Sequence, residues 1–196
     1  MLTENEKKVL RYIALHSKEI PSINKVSKAC KITPNKAYKI LKKFEEEGIL
    51  KFKKVSNIKS YYIDFKNDRA ANFMELALTP KSLKTKIKYR FDDLKQIKDI
   101  TDACVLFGSY ISDKQNPNDL DVLFVFDKKN HEHYKEKLNK IKEISPIKIH
   151  DVIQTKKDLA QNMGKESNAI IKILEEGIIL WGQNTLYKII KNASQR

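Results

Sequence analysis

Long apolar runs are missing from this chain. The longest, Ala103–Phe107 and residues 122–126, are five residues each, against the roughly 20 that a helix needs to cross a bilayer. Cysteine is nearly absent: Cys30 and Cys104 form no CxxC pair, which suits a reducing compartment and argues against a thiolate zinc site. Glycine occurs only at 48, 108, 164, 177 and 182, so there is neither a Walker loop nor a GxGxxG fingerprint. P-loop ATPase, kinase and dinucleotide oxidoreductase readings therefore fall away. With 41% hydrophobic and 33% charged residues and only 5 prolines, the composition supports a buried core rather than low-complexity sequence. The opening MLTENEKKVL has no apolar h-region, so no signal peptide is expected. The expectation is a soluble, cytoplasmic protein without a membrane partner.

Positive charge is what the chain has in excess. Its 39 Lys and Arg against 25 Asp and Glu leave a net charge of +14. Such a field concentrates polyanions and speeds their encounter, although a lysine-rich solvated surface gives the same count. A length of 196 residues allows two domains of roughly 80 to 120 residues.

The first third is helical, then extended. Thr3 and Glu6 form a capping box, followed by Val9, Leu10, Ile13 and Ala14 at helical spacing. Pro21-Ser22 starts a second helix with Ile23, Val26 and Ala29 facing inward. Thr33-Pro34 starts a third, with Ala37, Ile40, Leu41 and Phe44 on its inner face and Gly48 as its stop. Residues 49–53 and 60–65 alternate like paired strands around Ser56-Asn57.

This order resembles a winged helix-turn-helix over residues 1–65. The resemblance implies double-stranded DNA as a partner, and a homodimer where two half-sites are read. The outer face of the third helix carries Asn35, Lys36, Tyr38, Lys39, Lys42 and Lys43, residue types that reach phosphates and base edges from a major groove. Lys51, Lys53, Lys54 and Lys59 would grip the adjacent backbone from the hairpin. A protein-contact module with solvated lysines is the alternative.

Residues 68–78 and 81–98 read as helices broken at Thr79-Pro80, with Leu83, Ile87, Leu94 and Ile97 as the second helix's buried stripe. The expected division is a winged helix over 1–66, a helical linker over 67–82 and a second domain over 83–196.

The chemistry lies in that second domain. An apolar strand, Ala103–Phe107, runs into Gly108-Ser109; nine residues later Asp119-Leu120-Asp121 enters another apolar strand. Residues i and i+2 of a strand share a face, so the two carboxylates are neighbours. Their repulsion is relieved by a shared proton or a bound cation, and hard oxygen ligands suit Mg²⁺. Gly108 opens the backbone to a phosphate, and Ser109 offers an N–H and a hydroxyl. A third carboxylate, Asp151, falls on a strand over 147–153 and is expected beside the first pair, which would give three acids able to hold two ions. His150, adjacent to Asp151, is expected to face the other way. His131 and His133 lack the spacing of an HExxH site. Asp113 reads as a solvated loop residue, and Trp181, Tyr187 and Ile189 as core positions.

Phe107-Gly108-Ser109, nine residues and Asp119-Leu120-Asp121-Val122 are similar to the signature of the DNA polymerase β-like nucleotidyltransferase superfamily, in particular its minimal nucleotidyltransferases. The segment Glu175-Glu176-Gly177-Ile178-Ile179-Leu180-Trp181-Gly182 resembles their closing segment. The chain departs from the pattern at Tyr110-Ile111-Ser112-Asp113 and at Asn118. The resemblance implies an α+β chain: a winged helix followed by a small mixed-sheet α/β domain that moves a nucleoside monophosphate from NTP, with ATP foremost, to an acceptor hydroxyl. Gly108 and Ser109 would hold the triphosphate. Asp119, Asp121 and Asp151 would be catalytic residues and Mg²⁺ ligands, with Asp151 also the base. The alternative is a transcriptional regulator whose second domain only senses nucleotide; RNA handling is a weaker third.

Overall fold

The computed structural model describes residues 2–55, 57–112, 117, 119–164 and 168–194. It is a mixed α+β chain of two compact units: Met1–Thr79 with Ile190–Arg196, and Pro80–Ile189.

In the first unit, α1 (Glu4–Leu15) opens on the expected capping box. The Thr3 N–H donates to Glu6 Oε2 at 2.7 Å, and the Glu6 N–H donates to Thr3 Oγ1 at 3.3 Å. Ser22 and Thr33 cap α2 (Ile23–Ala29) and α3 (Pro34–Glu46), each side-chain oxygen accepting from the backbone N–H three residues on. Ala29, expected inside, is exposed, and Cys30 is buried. The stripe of this short helix runs 23, 26, 30, an i, i+3, i+7 line that misses position 29. Gly48 (φ 72°) turns the chain out of α3 into the antiparallel hairpin β1 (Leu50–Val55) and β2 (Ile58–Ile63). Asn57 sits in its turn at φ 64°, a conformation asparagine tolerates; Ser56 lies outside the described residues. Ser22 bridges to Ser60 on the hairpin. Val9, Leu10, Ile13, Ala37, Leu41, Phe44, Ile49 and Tyr61 are fully buried in this unit. Residues 67–82, expected as a linker, contain α4 (Arg69–Leu78), which packs on α1 and buries Met74 and Leu78. The units divide at 79/80, where the Thr79-Pro80 break was expected.

The second unit opens with α5 (Thr85–Leu94), whose start at Thr85 rather than residue 81 follows the extended Lys84. It buries Ile87 and Leu94. Four strands follow: β3 (Ala103–Phe107), β4 (Asp119–Val125), β5 (Lys148–Gln154) and β6 (Ile178–Trp181), in sheet order β5-β4-β3-β6. β3 is antiparallel to β4 and β6, whereas β4 and β5 are parallel, joined by the crossover helix α6 (His131–Ile144). One core gathers Leu120, Val122, Phe124 and Ile149 with Tyr134, Leu138 and Ile141 of α6 and with Trp181. Of the remaining helices, α7 (Lys156–Gly164) packs on β5 and α8 (Asn168–Glu176) on β3, while α9 (Gln183–Ser194) buries Tyr187 and Ile189.

Candidate functional site

Alternation along β4 fixes what the site is made of. Leu120, Val122 and Phe124 turn into the core, so Asp119 and Asp121 turn to the opposite face. The neighbouring strands complete that face. Phe107 of β3 stands beside Asp121, and in the parallel register of β5 Lys148 stands beside Asp119 and His150 beside Asp121. His150 Nδ1 lies 3.2 Å from Asp119 Oδ2 and 3.7 Å from Asp121 Oδ1. One ligand atom from each of Asp119, Asp121 and His150 falls within 4.8 Å of the others. The side chains are 34%, 26% and 45% exposed, respectively, so the cluster is open to a ligand. Among the described residues, no lysine or arginine forms an ion pair with either aspartate.

Gly108 closes the cluster from the end of β3. Its backbone is left-handed (φ 74°), and a methyl group on its α-carbon would run into the Asp121 carboxylate. Only glycine fits both the dihedral and the contact. Ser109 begins a single 3₁₀ turn closed by the Ser112 N–H, which donates to the Ser109 carbonyl (3.1 Å), and side chains brace it. Ser112 Oγ donates to the Ser109 carbonyl (2.6 Å), Tyr110 Oη donates to the Lys86 carbonyl (3.3 Å), and Lys86 Nζ donates to the Ser112 carbonyl (2.7 Å). Gly108, Asp119 and Asp121 are thus brought together, with Ser109 next in the chain. Asp113 and Asn118 lie outside the described residues.

Asp151 does not join them. It stands in register with Val122, on the core side of the sheet. There Tyr134 Oη donates to Asp151 Oδ2 (3.0 Å) and Lys142 Nζ donates to Oδ1 (2.7 Å). Burial, reinforced by the Asp151 charge, holds the Tyr134 phenol well above the usual tyrosine range. The expected third acid is replaced by His150, because a one-residue change of parity exchanges the two faces of a strand. The signal was in the sequence. Ile147, Ile149 and Ile153 share parity with Asp151, which marks that side as apolar and leaves His150 with the acids.

Two carboxylates and an imidazole, partly exposed beside a solvent-exposed glycine, suit a divalent cation that keeps open positions. The all-carboxylate set of three is not formed.

On the first unit, Asn35, Lys36, Tyr38, Lys39 and Lys42 are exposed on α3, as is Lys54 on β1. Lys43 is diverted: its Nζ lies 2.7 Å from Oε1 of Glu6 in the capping box. Burial pushes the Glu6 carboxyl up, but the hydrogen bonds from Lys43 and Thr3 outweigh it and leave the group below its ordinary range. Lys42 pairs with Glu46 (3.7 Å), Lys51 with Asp64 (2.7 Å) and Lys59 with Glu45 (2.7 Å). Lys36, Lys39, Lys53 and Lys54 have no ion pair among the described residues.

Residues 42–174 match DUF6932, a family of unknown function. That span exceeds half of the chain, so the chain belongs to this family. It includes Gly108, Ser109, Asp119, Asp121, His150 and Asp151. Comparison with curated proteins and with solved structures found no match.

Proposed function

We propose that this member of DUF6932 is a metal-dependent nucleotidyltransferase, which moves a nucleoside monophosphate from NTP, with ATP as the first candidate, to an acceptor hydroxyl. Its amino-terminal unit is read as a winged helix that holds double-stranded DNA. One observation carries the proposal: a left-handed glycine ends a strand directly against one of two carboxylates that share a strand face. Open backbone for phosphate and acids for a cation are what a triphosphate requires together. Gly108 leaves the backbone accessible, and Ser109 supplies an N–H and a hydroxyl for phosphate oxygens. Asp119 and Asp121 hold a divalent ion, for which Mg²⁺ is the default. When bound, that ion offsets the charge of the triphosphate and of the departing pyrophosphate. Lys148, exposed beside Asp119, adds a cation for a phosphate on the same face.

A second reading has its own support. Asp151 is tied to Tyr134 and Lys142 on the other side of the sheet, which leaves two acids in the site where transfer was expected to use three. Two suffice to retain a metal–nucleotide complex, so the second unit would sense nucleotide and the first would regulate DNA. Pyrophosphate release separates the two. The full chain is incubated with each NTP, Mg²⁺ or Mn²⁺, and DNA, RNA and protein acceptors. Release that Asp121→Asn removes supports the transferase. Metal-dependent nucleotide binding without release supports the sensor. Absence of both binding and release overturns both.

A further inference from the structure

We propose that His150 is the third ligand of the metal centre, and that the mixed nitrogen and oxygen donors make the site prefer a first-row transition ion to Mg²⁺. The inference rests on the reading of Asp119 and Asp121 as metal ligands and adds the identity of the ion. Three observations meet here. The parallel register sets His150 beside Asp121 on the acids' own face. Its Nδ1 approaches both carboxylates, at 3.2 and 3.7 Å, and the three donor atoms lie within 4.8 Å of one another. The acid expected to make the set all-oxygen, Asp151, is held on the opposite face by Tyr134 and Lys142.

Donor chemistry then decides between ions. Mg²⁺ takes oxygen ligands and gives up water reluctantly. Imidazole nitrogen suits first-row transition ions, while carboxylates accept either class, so replacing a carboxylate by imidazole moves selectivity away from Mg²⁺. Mn²⁺, at home with both donor types, is the natural probe. The competing account makes His150 only a cationic partner of the acids. Its removal would then free the carboxylates and strengthen binding of both ions alike.

The test is titration of the full chain with Mn²⁺ and with Mg²⁺ in the absence of nucleotide, by calorimetry and by electron paramagnetic resonance. Parent, His150→Ala, His150→Asp and Asp121→Asn are compared. His150 is half exposed, and circular dichroism confirms that the variants fold. The parent is expected to bind Mn²⁺ at least tenfold more tightly than Mg²⁺. Bound Mn²⁺ should show hyperfine coupling to an imidazole nitrogen. His150→Ala should lose that coupling and on the order of tenfold or more in Mn²⁺ affinity, with little change for Mg²⁺. His150→Asp should narrow the preference. Mn²⁺ bound without nitrogen coupling, equal gains for both ions in His150→Ala, or no ion bound by the parent would each overturn the inference. Pyrophosphate release is scored separately. Nitrogen-ligated Mn²⁺ without release defeats transfer and leaves the metal centre standing; release that is indifferent to His150 does the reverse.

Discussion

The lysine-paired acids of the first unit and the acid pair at the start of β4 are treated differently. In the amino-terminal unit, Glu6, Glu45 and Asp64 each have a lysine nitrogen at 2.7 Å. The Lys51 ammonium holds the Asp64 carboxyl below the usual range. At the start of β4, in a chain of net charge +14, Asp119 and Asp121 have no lysine partner among the described residues and share a histidine instead. Asp99, Asp102 and Asp151 of the same unit are paired with Lys137, Lys156 and Lys142, so lysine is not scarce there. Two adjacent carboxylates without a counterion are destabilised by their repulsion. Among the described residues, that sets this pair apart from the lysine-paired acids around it, and it is the feature on which the proposed metal site rests.

The comparison breaks most sharply at Asp121. On the proposed reading, Asp121→Asn removes a metal ligand and also relieves repulsion. Metal-dependent nucleotide transfer should fall by a factor of about 100 or more, equivalent to about 2.7 kcal/mol of transition-state stabilisation. The melting temperature without metal should stay level or rise. A paired acid gives the opposite pattern. Near-parental transfer, or a clear drop in melting temperature, would place Asp121 with the structural acids.

The same contrast sorts the lysines. Lys36 and Lys39, exposed and without an ion pair among the described residues, are available to phosphates, whereas Lys43 and Lys51 are spent on Glu6 and Asp64. Replacing Lys36 and Lys39 together by alanine should flatten the dependence of log K on log salt for duplex DNA by about two units. Replacing Lys43 and Lys51 should leave that slope nearly unchanged and lower the melting temperature. Equal slopes for both pairs would dissolve the distinction and favour a protein-contact role for this face.

Gly108→Ala tests how closely the acid pair is packed. The alanine must adopt φ 74° and set its methyl against Asp121. A cost of about 1–3 kcal/mol in unfolding free energy is expected, read by denaturant titration, together with weaker nucleotide binding. Gly164→Ala is the control, since a methyl there meets nothing within 4 Å. If the two variants behaved alike, Gly108 would not be the wall of the site.

Much of this was legible before any coordinates. Caps at Thr3, Ser22 and Thr33 act within a few residues of chain, so α1, α2 and α3 begin where the sequence says. β3 is bounded as expected because five apolar residues end at a glycine. The shared face of Asp119 and Asp121 follows from alternation alone. What was not legible depends mostly on partners distant in sequence. Lys43 reads as an outer-face cation on its own helix and is exposed there, but its ion pair with Glu6 of α1 is visible only in the fold. Residues 67–82 read as a helical linker, and the helix is there as α4, but its packing on α1 is not visible in its own pattern. The exchange of Asp151 for His150 is different: alternation along β5 already carried it, since Ile147, Ile149 and Ile153 share parity with Asp151.

Asp151 supplies the smallest effect and the cleanest check of that exchange. Its carboxylate accepts hydrogen bonds from Tyr134 and Lys142 and lies away from the cluster, so its work is to satisfy two groups under α6. Asp151→Asn keeps an oxygen for the Tyr134 hydroxyl but removes the charge facing Lys142. The loss should be about 1–2 kcal/mol of stability, the scale of a hydrogen bond to a charged group, read from the denaturation midpoint. Mn²⁺ affinity and pyrophosphate release should stay within about threefold of the parent, since neither depends on that side of the sheet. A drop in release of two orders of magnitude with stability unchanged would return Asp151 to the chemistry. It would also mean that β5 presents its other face to the acids when nucleotide is bound. The double variant Asp151→Asn with His150→Ala then shows whether the two residues share a role. Independent effects keep Asp151 in the fold and His150 at the metal, whereas strong non-additivity would join them in one site.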